Sequence, residues 1–345
     1  MRPFLAPPPR HPVAPGPVPS FSVIVAAYQA AATIGEALES AFAQTHPAHE
    51  VVVCDDGSTD DLDAALAPYR ERIVLLRQPN RGEAAAKNAA VRAATGDFVV
   101  TLDADDAFLP ERLEALAELA VARPDLDILT TDALLRLGDE TVGRYYVNRD
   151  TFEAGDQREA ILRESFIWPP AVRRSVWLHA GGFDETPDFR RAPGADWEFY
   201  ARVICAGSRA GMVNQPLAVY RLQPSSLTGS RLRTLQGRVV ALRKMSLIAG
   251  LSETESVRIE RLLGHYRREA RLAHAEDLLR RSASGRRRAA LGVAMAQGFG
   301  VRTRAKAAVA ALVPGAAGRY LQWREQAGGA SRLLPRMPQD TSGKA

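Results

Sequence analysis

Apolar residues in the first part of the chain fall into short separate runs, spaced by amphipathic segments. Phe21 to Ala27 (FSVIVAA) is apolar and rich in β-branched residues, the content of a strand covered on both faces, and Val51 to Asp56 (VVVCDD) is a second such run. Between them, Thr33 to Gln44 places Ile34, Leu38, Ala41 and Phe42 at helical spacing, so the three segments read as a β-α-β crossover. The alternation continues with a strand at Ile73 to Leu76, an Ala-rich helix at Gly82 to Ala94 and a strand at Phe98 to Leu102. A helix at Pro110 to Ala120, opened by proline in its first turn, and a strand at Asp127 to Thr131 follow. This rhythm predicts an α/β fold with an open, mostly parallel sheet flanked by helices.

After Thr131 the pattern becomes irregular. A hairpin is expected around Leu134 to Val147, with Gly138 and Asp139 in its turn, and a helix-strand stretch then leads to Pro169 and Pro170. The segment Ser175 to Ala180 precedes a turn at GGFDE (181–185) that seats Phe183 in the core. A helix at Asp196 to Ala206, stopped by Gly207, and a strand at Leu217 to Leu222 come next. From about Ser230 strand signals vanish and Arg-rich helices are predicted at 231–248, 253–282, 286–297 and 303–312. The expected organisation is a Pro-rich leader (1–19), an α/β domain (20–228), a basic α-helical appendage (229–328) and a tail (329–345), with both ends of disordered composition.

Composition, 46% hydrophobic and 25% charged, permits a sizeable core. The longest uncharged apolar stretch of the second half, Ala289 to Val301, falls short of the ~18 to 20 residues that span a bilayer. The Pro-broken N-terminus lacks the apolar stretch of a secretory signal, so a cytoplasmic location is expected. Cys54 and Cys205 exclude a disulfide framework and read as buried free thiols. Charge divides the chain: residues 1–227 carry 22 Lys+Arg against 32 Asp+Glu, whereas residues 228–345 carry 23 against 8. The acidic half argues against nucleic acid as its partner. The basic half suits an anionic membrane surface, RNA or an acidic partner. In 258–281, apolar residues recur at roughly helical intervals among arginines, which fits a hairpin packed on the first domain and equally a peripheral membrane contact.

In an open parallel sheet, loops after the strands line the ligand crevice, and here those loops are acidic. The first strand ends in Ala26-Ala27-Tyr28, the second in Asp55-Asp56-Gly57-Ser58-Thr59-Asp60 and the fourth in Asp103-Ala104-Asp105-Asp106. Carboxylates gathered at one rim repel each other unless a cation sits among them, and hard oxygen donors suit Mg²⁺ or Mn²⁺. A turn that caps the following helix would use the same residues. Asn80-Arg81-Gly82-Glu83, with Lys87 and Asn88 on the next helix, supply an amide, two cations and a glycine at a helix N-terminus, a setting for phosphate or ribose oxygens.

The ordered series SVIVAAYQAAATIGEALESAFAQTHPAHEVVVCDDGSTDD, QPNRGEAAAKNAAVRAATGDFVVTLDADDAFLPERL, GGFDE, GADWEFYARVICAG and YRLQPSSLT resembles the family 2 glycosyltransferases of the GT-A fold over roughly residues 20–228. The resemblance implies inverting transfer of a sugar from a nucleotide diphosphate donor, a UDP-sugar first, to an acceptor hydroxyl. It places Ala26 and Tyr28 beside the base, with the Tyr28 ring stacked on it and Asp56 accepting from it. Asn80 and Lys87 would lie near the nucleotide, Asp103 and Ala104 by the ribose or sugar, and Asp105 would hold Mg²⁺ or Mn²⁺. Asp196 of GADWEF would be the base that takes the acceptor's proton, although standing alone it would also serve as a helix cap. Trp168 and Asp184 fall on the side of the acceptor, a saccharide or lipid-linked sugar of surface polysaccharide or glycolipid synthesis. Two departures matter. Ala195 stands where the family usually has Glu, with Glu198 available to compensate, and Ala26-Ala27-Tyr28-Gln29 replaces Pro-Thr-Tyr-Asn.

Competing readings are a sugar-nucleotide-binding module without transfer activity and a nucleotidyltransferase on a similar sheet. Other motifs carry less. His46 and His49 are two potential ligands without a third. DDGST lacks the aspartyl nucleophile of the phosphatase-like signature it otherwise matches, because Cys54 occupies that position, and neither the dinucleotide-binding nor the P-loop glycine pattern occurs.

Overall fold

The computed structural model describes residues 18–145, 157–164, 167–168, 170–190, 192–222, 230–281, 284–296 and 299–327. The apolar runs become β1 (Phe21–Ala27), β2 (Glu50–Asp55), β3 (Val74–Arg77) and β4 (Phe98–Asp103), all parallel in the order β3-β2-β1-β4. Alternation splits their side chains between two cores. Ile24, Val52 and Cys54 face one layer, packed on α3 (Glu83–Ala93). Val23, Val25, Val51 and Val53 face the other, packed on α1 (Ile34–Phe42), α2 (Leu62–Leu66) and α4 (Arg112–Ala122). The carboxyl ends of β1, β2 and β4 therefore open on one rim, where Ala27, Asp55 and Asp103 end their strands.

Beyond β4 the sheet is mixed. Its order continues through β8 (Pro170–Arg173), β6 (Ile128–Leu137), β9 (Ala210–Arg221) and β5 (Ala107–Phe108), with β7 (Glu140–Arg144) hairpinned onto β6. β8 is antiparallel to both β4 and β6, β9 is parallel to β6, and β5 is antiparallel to β9. The parallel rhythm thus holds only for the first four strands. The predicted strand at Asp127 to Thr131 and the first arm of the hairpin are one continuous β6. The hairpin's second arm runs to Arg144, and its predicted end at Val147 lies outside the described residues. β9 begins at Ala210 rather than Leu217, because its first half, with Gly211, Asn214, Gln215 and Pro216, lacks an apolar alternation and owes its extended form to the ladder with β6. The register slips where Asp132 pairs with Pro216, a residue without an N–H to give. The segment around Ser175 folds as helix α6 (Arg174–His179), after α5 (Gln157–Arg163) and before α7 (Ala195–Cys205).

The basic region is helical: α8 (Arg231–Met245), α9 (Glu253–Arg280), α10 (Arg286–Met295), α11 (Val301–Leu312) and α12 (Pro314–Ala327). A capping box opens α9, with Ser252 Oγ accepting from the Glu255 N–H at 3.2 Å and Glu255 Oε2 accepting from the Ser252 N–H at 2.7 Å. Arg158 of α5 donates to the same carboxylate, and these bonds bring the Glu255 carboxyl down to about 2. Ala241, Leu242 and Met245 of α8 and Ile259 and Leu263 of α9 share one core with Trp177, Phe199 and Tyr200. The first two helices are thereby part of the α/β body, whereas α10 to α12 pack on the second half of α9 through small separate clusters. α12 falls within the expected helical appendage (229–328) but beyond its four predicted helices, and Pro314 takes its first position, which suits proline. Cys54 is buried, and burial, with the charges of Asp56 and Asp55, pushes its thiol up to about 11; Cys205 is only half-buried. Among the described residues no helix is long and apolar enough to cross a membrane.

Candidate active site

The loops after β1 and β2 are tied together. Gln29 takes a left-handed backbone (φ 53°), and its Oε1 accepts from the backbone N–H groups of Thr59 at 2.7 Å and Asp60 at 3.2 Å. The ring of Tyr28 beside it is left 52% exposed, a free aromatic face at the rim. Asp56 is buried, and Oδ1 accepts from Gln78 Nε2 at 2.7 Å and the Arg81 N–H at 2.8 Å, while Oδ2 accepts from the Gly82 N–H at 2.8 Å. A carboxylate offers about four acceptor positions, so Asp56 fixes the Asn80-Arg81-Gly82 loop and keeps one position in reserve. Gly57 permits that closeness: with φ 77°, a Cβ there would lie 2.8 Å from the Asn80 nitrogen.

Lys87, buried on α3, reaches the end of β4. Its Nζ donates to Asp103 Oδ1 at 2.7 Å and Glu83 Oε1 at 2.6 Å. Burial works against its charge, but the two carboxylates outweigh it and hold the ammonium well above the ordinary lysine range. Asp105 and Asp106 follow, flanking the turn after Ala104. Burial raises the Asp105 carboxyl, and the charges of Asp103 and Glu83 add to it. Asp106 is pushed well above the usual range by burial and then by Asp103 and Asp105. Its Oδ1 accepts from the Arg221 N–H at 2.8 Å, while its buried Oδ2 has no hydrogen-bond partner. Arg221, at the end of β9, also donates from Nη1 to the Asp105 carbonyl at 2.7 Å and from Nη2 to Glu36. Crowded carboxylates with an orphaned buried oxygen fit a hard divalent cation. Among the described residues no three Asp, Glu, His or Cys side chains converge on a common point, so an ion here would need oxygens from the substrate to complete its shell.

Asp196 stands in the first turn of α7, whose N-terminus carries no side-chain cap of its own. Burial raises its carboxyl; the Trp197 N–H opposes this, and the charges of Glu83 and Asp103 push it up against Lys87. It thus feels the same charges as the Lys87–Asp103 pair. The turn before it lies close against α8: Gly194 has φ 122°, and a Cβ on Gly237 of α8 would fall 1.7 Å from the Pro193 carbonyl oxygen.

Two sequence expectations come out differently. Glu198 does not support Asp196: it is buried against Arg202, with Nε–Oε1 at 2.9 Å and Nη2–Oε2 at 3.0 Å, and Arg202 in turn donates to the carbonyls of Ala180 and Gly182. Asn88 faces away from the rim, donating to the Phe183 carbonyl at 2.8 Å and Glu185 at 3.0 Å and accepting from Trp177 Nε1 and the Phe183 N–H. Asp184 has both oxygens engaged, on Lys244 at 2.8 Å and the Thr186 N–H at 2.7 Å. Burial pushes its carboxyl up, but those bonds outweigh it and hold it below the usual range. Trp168 stacks on Tyr145 with ring centroids 4.9 Å apart and meets the edge of Tyr220 at 4.7 Å, forming an aromatic group on β6–β9 side of the sheet. His46 packs against Phe21 while His49 meets Thr95 Oγ1, so the two do not pair on a metal. Arg221 and Gly237 are the residues to which the sequence analysis gave no role; Arg221 lay within the YRLQPSSLT segment of the resemblance and closed an apolar strand.

Comparison with known proteins decides the family. Residues 22–174 match the profile of Glycosyl transferase family 2. The chain is 30% identical over 305 residues to the succinoglycan biosynthesis protein ExoO of Rhizobium meliloti (strain 1021), covering 83% of this chain and 84% of that one. This chain belongs to glycosyl transferase family 2. A second relative from the same organism, the succinoglycan biosynthesis protein ExoU, is 31% identical over 76% of this chain and 80% of its own. Two solved structures share the fold with TM-scores of 0.54. S. aureus TarS 1–349 in complex with UDP has 18% identity over 90% of this chain and 92% of its own. The mannosyltransferase PcManGT from Pyrobaculum calidifontis, in complex with GDP-Man and Mn²⁺, has 22% identity over 92% and 91%. The fold is of the GT-A type with a helical C-terminal region, and the enzyme is a glycosyltransferase, which sets the nucleotidyltransferase reading aside.

Proposed function

We propose that this glycosyltransferase is metal-dependent and inverting, and that it moves a sugar from a nucleotide diphosphate donor, a UDP-sugar first, to an acceptor hydroxyl with Asp196 as the base. The observation that carries the reading is the Lys87–Asp103 pair, 2.7 Å apart, beside the buried Asp106 whose Oδ2 has no hydrogen-bond partner, with Asp196 in the first turn of α7: a divalent ion among these carboxylates would make the rim suited to a diphosphate. The exposed Tyr28 ring, flanked by Ala26, would stack on the base, with the spare position of Asp56 accepting from it and Asn80 at the edge. Asp103 and Ala104 would meet ribose or sugar hydroxyls, with Lys87 holding Asp103 in place. Asp105, aided by the orphaned oxygen of Asp106, would hold Mg²⁺ or Mn²⁺. When bound, the ion would supply Lewis-acid neutralisation of the leaving diphosphate. Asp196 would take the proton from the acceptor hydroxyl as the new bond to the sugar forms, and a raised carboxyl is the stronger base for it. Trp168, and Asp184 if its ion pair opens, would stand on the acceptor side.

The names of the ExoO and ExoU relatives, both succinoglycan biosynthesis proteins, support polysaccharide assembly as the setting. The acceptor would be a saccharide or a lipid-linked sugar of surface polysaccharide or glycolipid synthesis, reached from the cytoplasmic side. The test is Asp196→Asn. Transfer should fall by about 10²- to 10⁴-fold while nucleotide affinity by calorimetry stays within about twofold, whereas unchanged turnover would remove Asp196 from the mechanism, and absence of transfer in the wild type with every nucleotide sugar it binds would favour a binding module.

A further inference from the structure

α11 is apolar on two opposite sides, and the wrong side carries the larger residues. Ala307, Ala310 and Ala311 face inward, onto clusters that include Leu279, Ala290 and Val293. Val301, Val309 and Leu312 face outward and are 81%, 58% and 75% exposed, with Ala305 exposed between them. Positions 301, 305, 309 and 312 recur on one helical face, so the outward residues form a continuous stripe. At the end of α10, Met295 is 76% exposed as well. Burial alone would have placed Val and Leu inside and Ala outside, and scattered exposed apolar residues do not line up along a helix.

The charge around the stripe is of one sign. Arg302 and Lys306 flank it on one side and Arg304 on the other, all exposed, although Arg304 Nε also donates to the Ala294 carbonyl at 2.8 Å. Residues 278–324 contain ten Lys+Arg and no Asp or Glu. We infer that the outer face of α11 docks on an anionic lipid bilayer, the valines and leucine entering the interfacial region while Arg302, Arg304 and Lys306 reach the headgroups. The one-signed charge of this stretch discriminates among occupants. A second copy laid stripe to stripe would bring Arg302, Arg304 and Lys306 against their own counterparts, and RNA would find no aromatic stacking surface in a stripe of Val, Ala and Leu. A bilayer complements both features at once, and such a contact would hold the enzyme beside a lipid-carried acceptor.

The test is sedimentation of the full chain with vesicles of phosphatidylcholine alone or mixed with phosphatidylglycerol. Neither donor nor acceptor is present, so failure here is separate from failure of the catalytic reading. Binding should require phosphatidylglycerol and weaken as salt rises. Arg302→Gln with Lys306→Gln should weaken partitioning by on the order of tenfold, and Val309→Ser with Leu312→Ser by a similar factor, with unchanged thermal melts because all four side chains are exposed. No binding to anionic vesicles, or double variants that sediment like the wild type, would overturn the inference. So would a dimer in gel filtration that the Val309→Ser/Leu312→Ser variant dissolves while vesicle binding is absent.

Discussion

Asp196 works through its surroundings, and those surroundings make its pH behaviour predictable. Burial together with the negative charges of Glu83 and Asp103 raises its carboxyl, so the proposed base is half-ionised at a higher pH than an ordinary aspartate, about 3.9. A base must be deprotonated to act. The acid limb of the pH–rate profile should therefore lie above the usual Asp range, and Glu83→Gln, which removes a charge that raises Asp196, should move that limb to lower pH. Rate profiles of the two proteins check this; a limb that does not move would separate Glu83 from the base. Asp196→Asn itself should cost about 10²- to 10⁴-fold in kcat, measured with saturating donor. At this scale the sequence was most legible along the rim, where Asp56, Asp103 and Asp105 stand at or just after the ends of predicted strands, Lys87 on a predicted helix and Asp196 at the start of another. It failed for Asn88 and Glu198, because helical spacing tells which face a side chain takes but not which distant turn or side chain covers that face.

Elements hold these residues through close backbone contacts more than through side-chain bulk. The GGFDE turn is clasped between α3 and α7: Asn88 holds it from one side and the Glu198–Arg202 pair from the other, and a Cβ on Gly182 would fall 2.2 Å from Asn88 Oδ1. Asn88→Ala would strand the buried Trp177 and Phe183 donors, at about 1–3 kcal/mol each, and should lower thermal stability accordingly in a denaturant melt. Gly237→Ala would force α8 off Pro193, next to the cap of α7. We expect it to reduce kcat by more than its loss of stability explains while leaving nucleotide affinity nearly intact, a split that kinetics and calorimetry together resolve. The first four strands and their helices could be read from the chain because each is a local pattern with its own turn. β9 and the continuity of β6 could not, since their pairing, and not their composition, makes them strands.

For the whole molecule, the boundary near residue 228 separates compositions but not cores. α8 and α9 contribute Leu242, Met245, Ile259 and Leu263 to the body of the α/β domain, so a chain ending there should fail to fold, whereas one ending near residue 284 should still bind nucleotide. The charge asymmetry read from the sequence anticipated two electrostatic halves, but which helices belong to the body depends on packing that composition does not encode. The acidic rim also costs stability. Because Asp105 and Asp106 titrate higher in the folded chain than in the unfolded one, the folded state binds protons more tightly; their contribution is most favourable at acid pH and is lost as pH rises through their raised values. Asp105→Asn should consequently raise the melting temperature by ~2–4 °C at neutral pH without added cation, with no gain at acid pH, while damaging function, the trade expected of a site built for charge.

On the proposed function, this rim receives a nucleotide diphosphate with a divalent ion on Asp105. Calorimetric titration with UDP, GDP, TDP and CDP, with and without Mn²⁺, on the wild type and on Asp105→Ala tests it most directly. Tight binding of one nucleotide, UDP first, is expected, dependent on Mn²⁺ and lost in the variant. Binding that ignores both the metal and the substitution would contradict it.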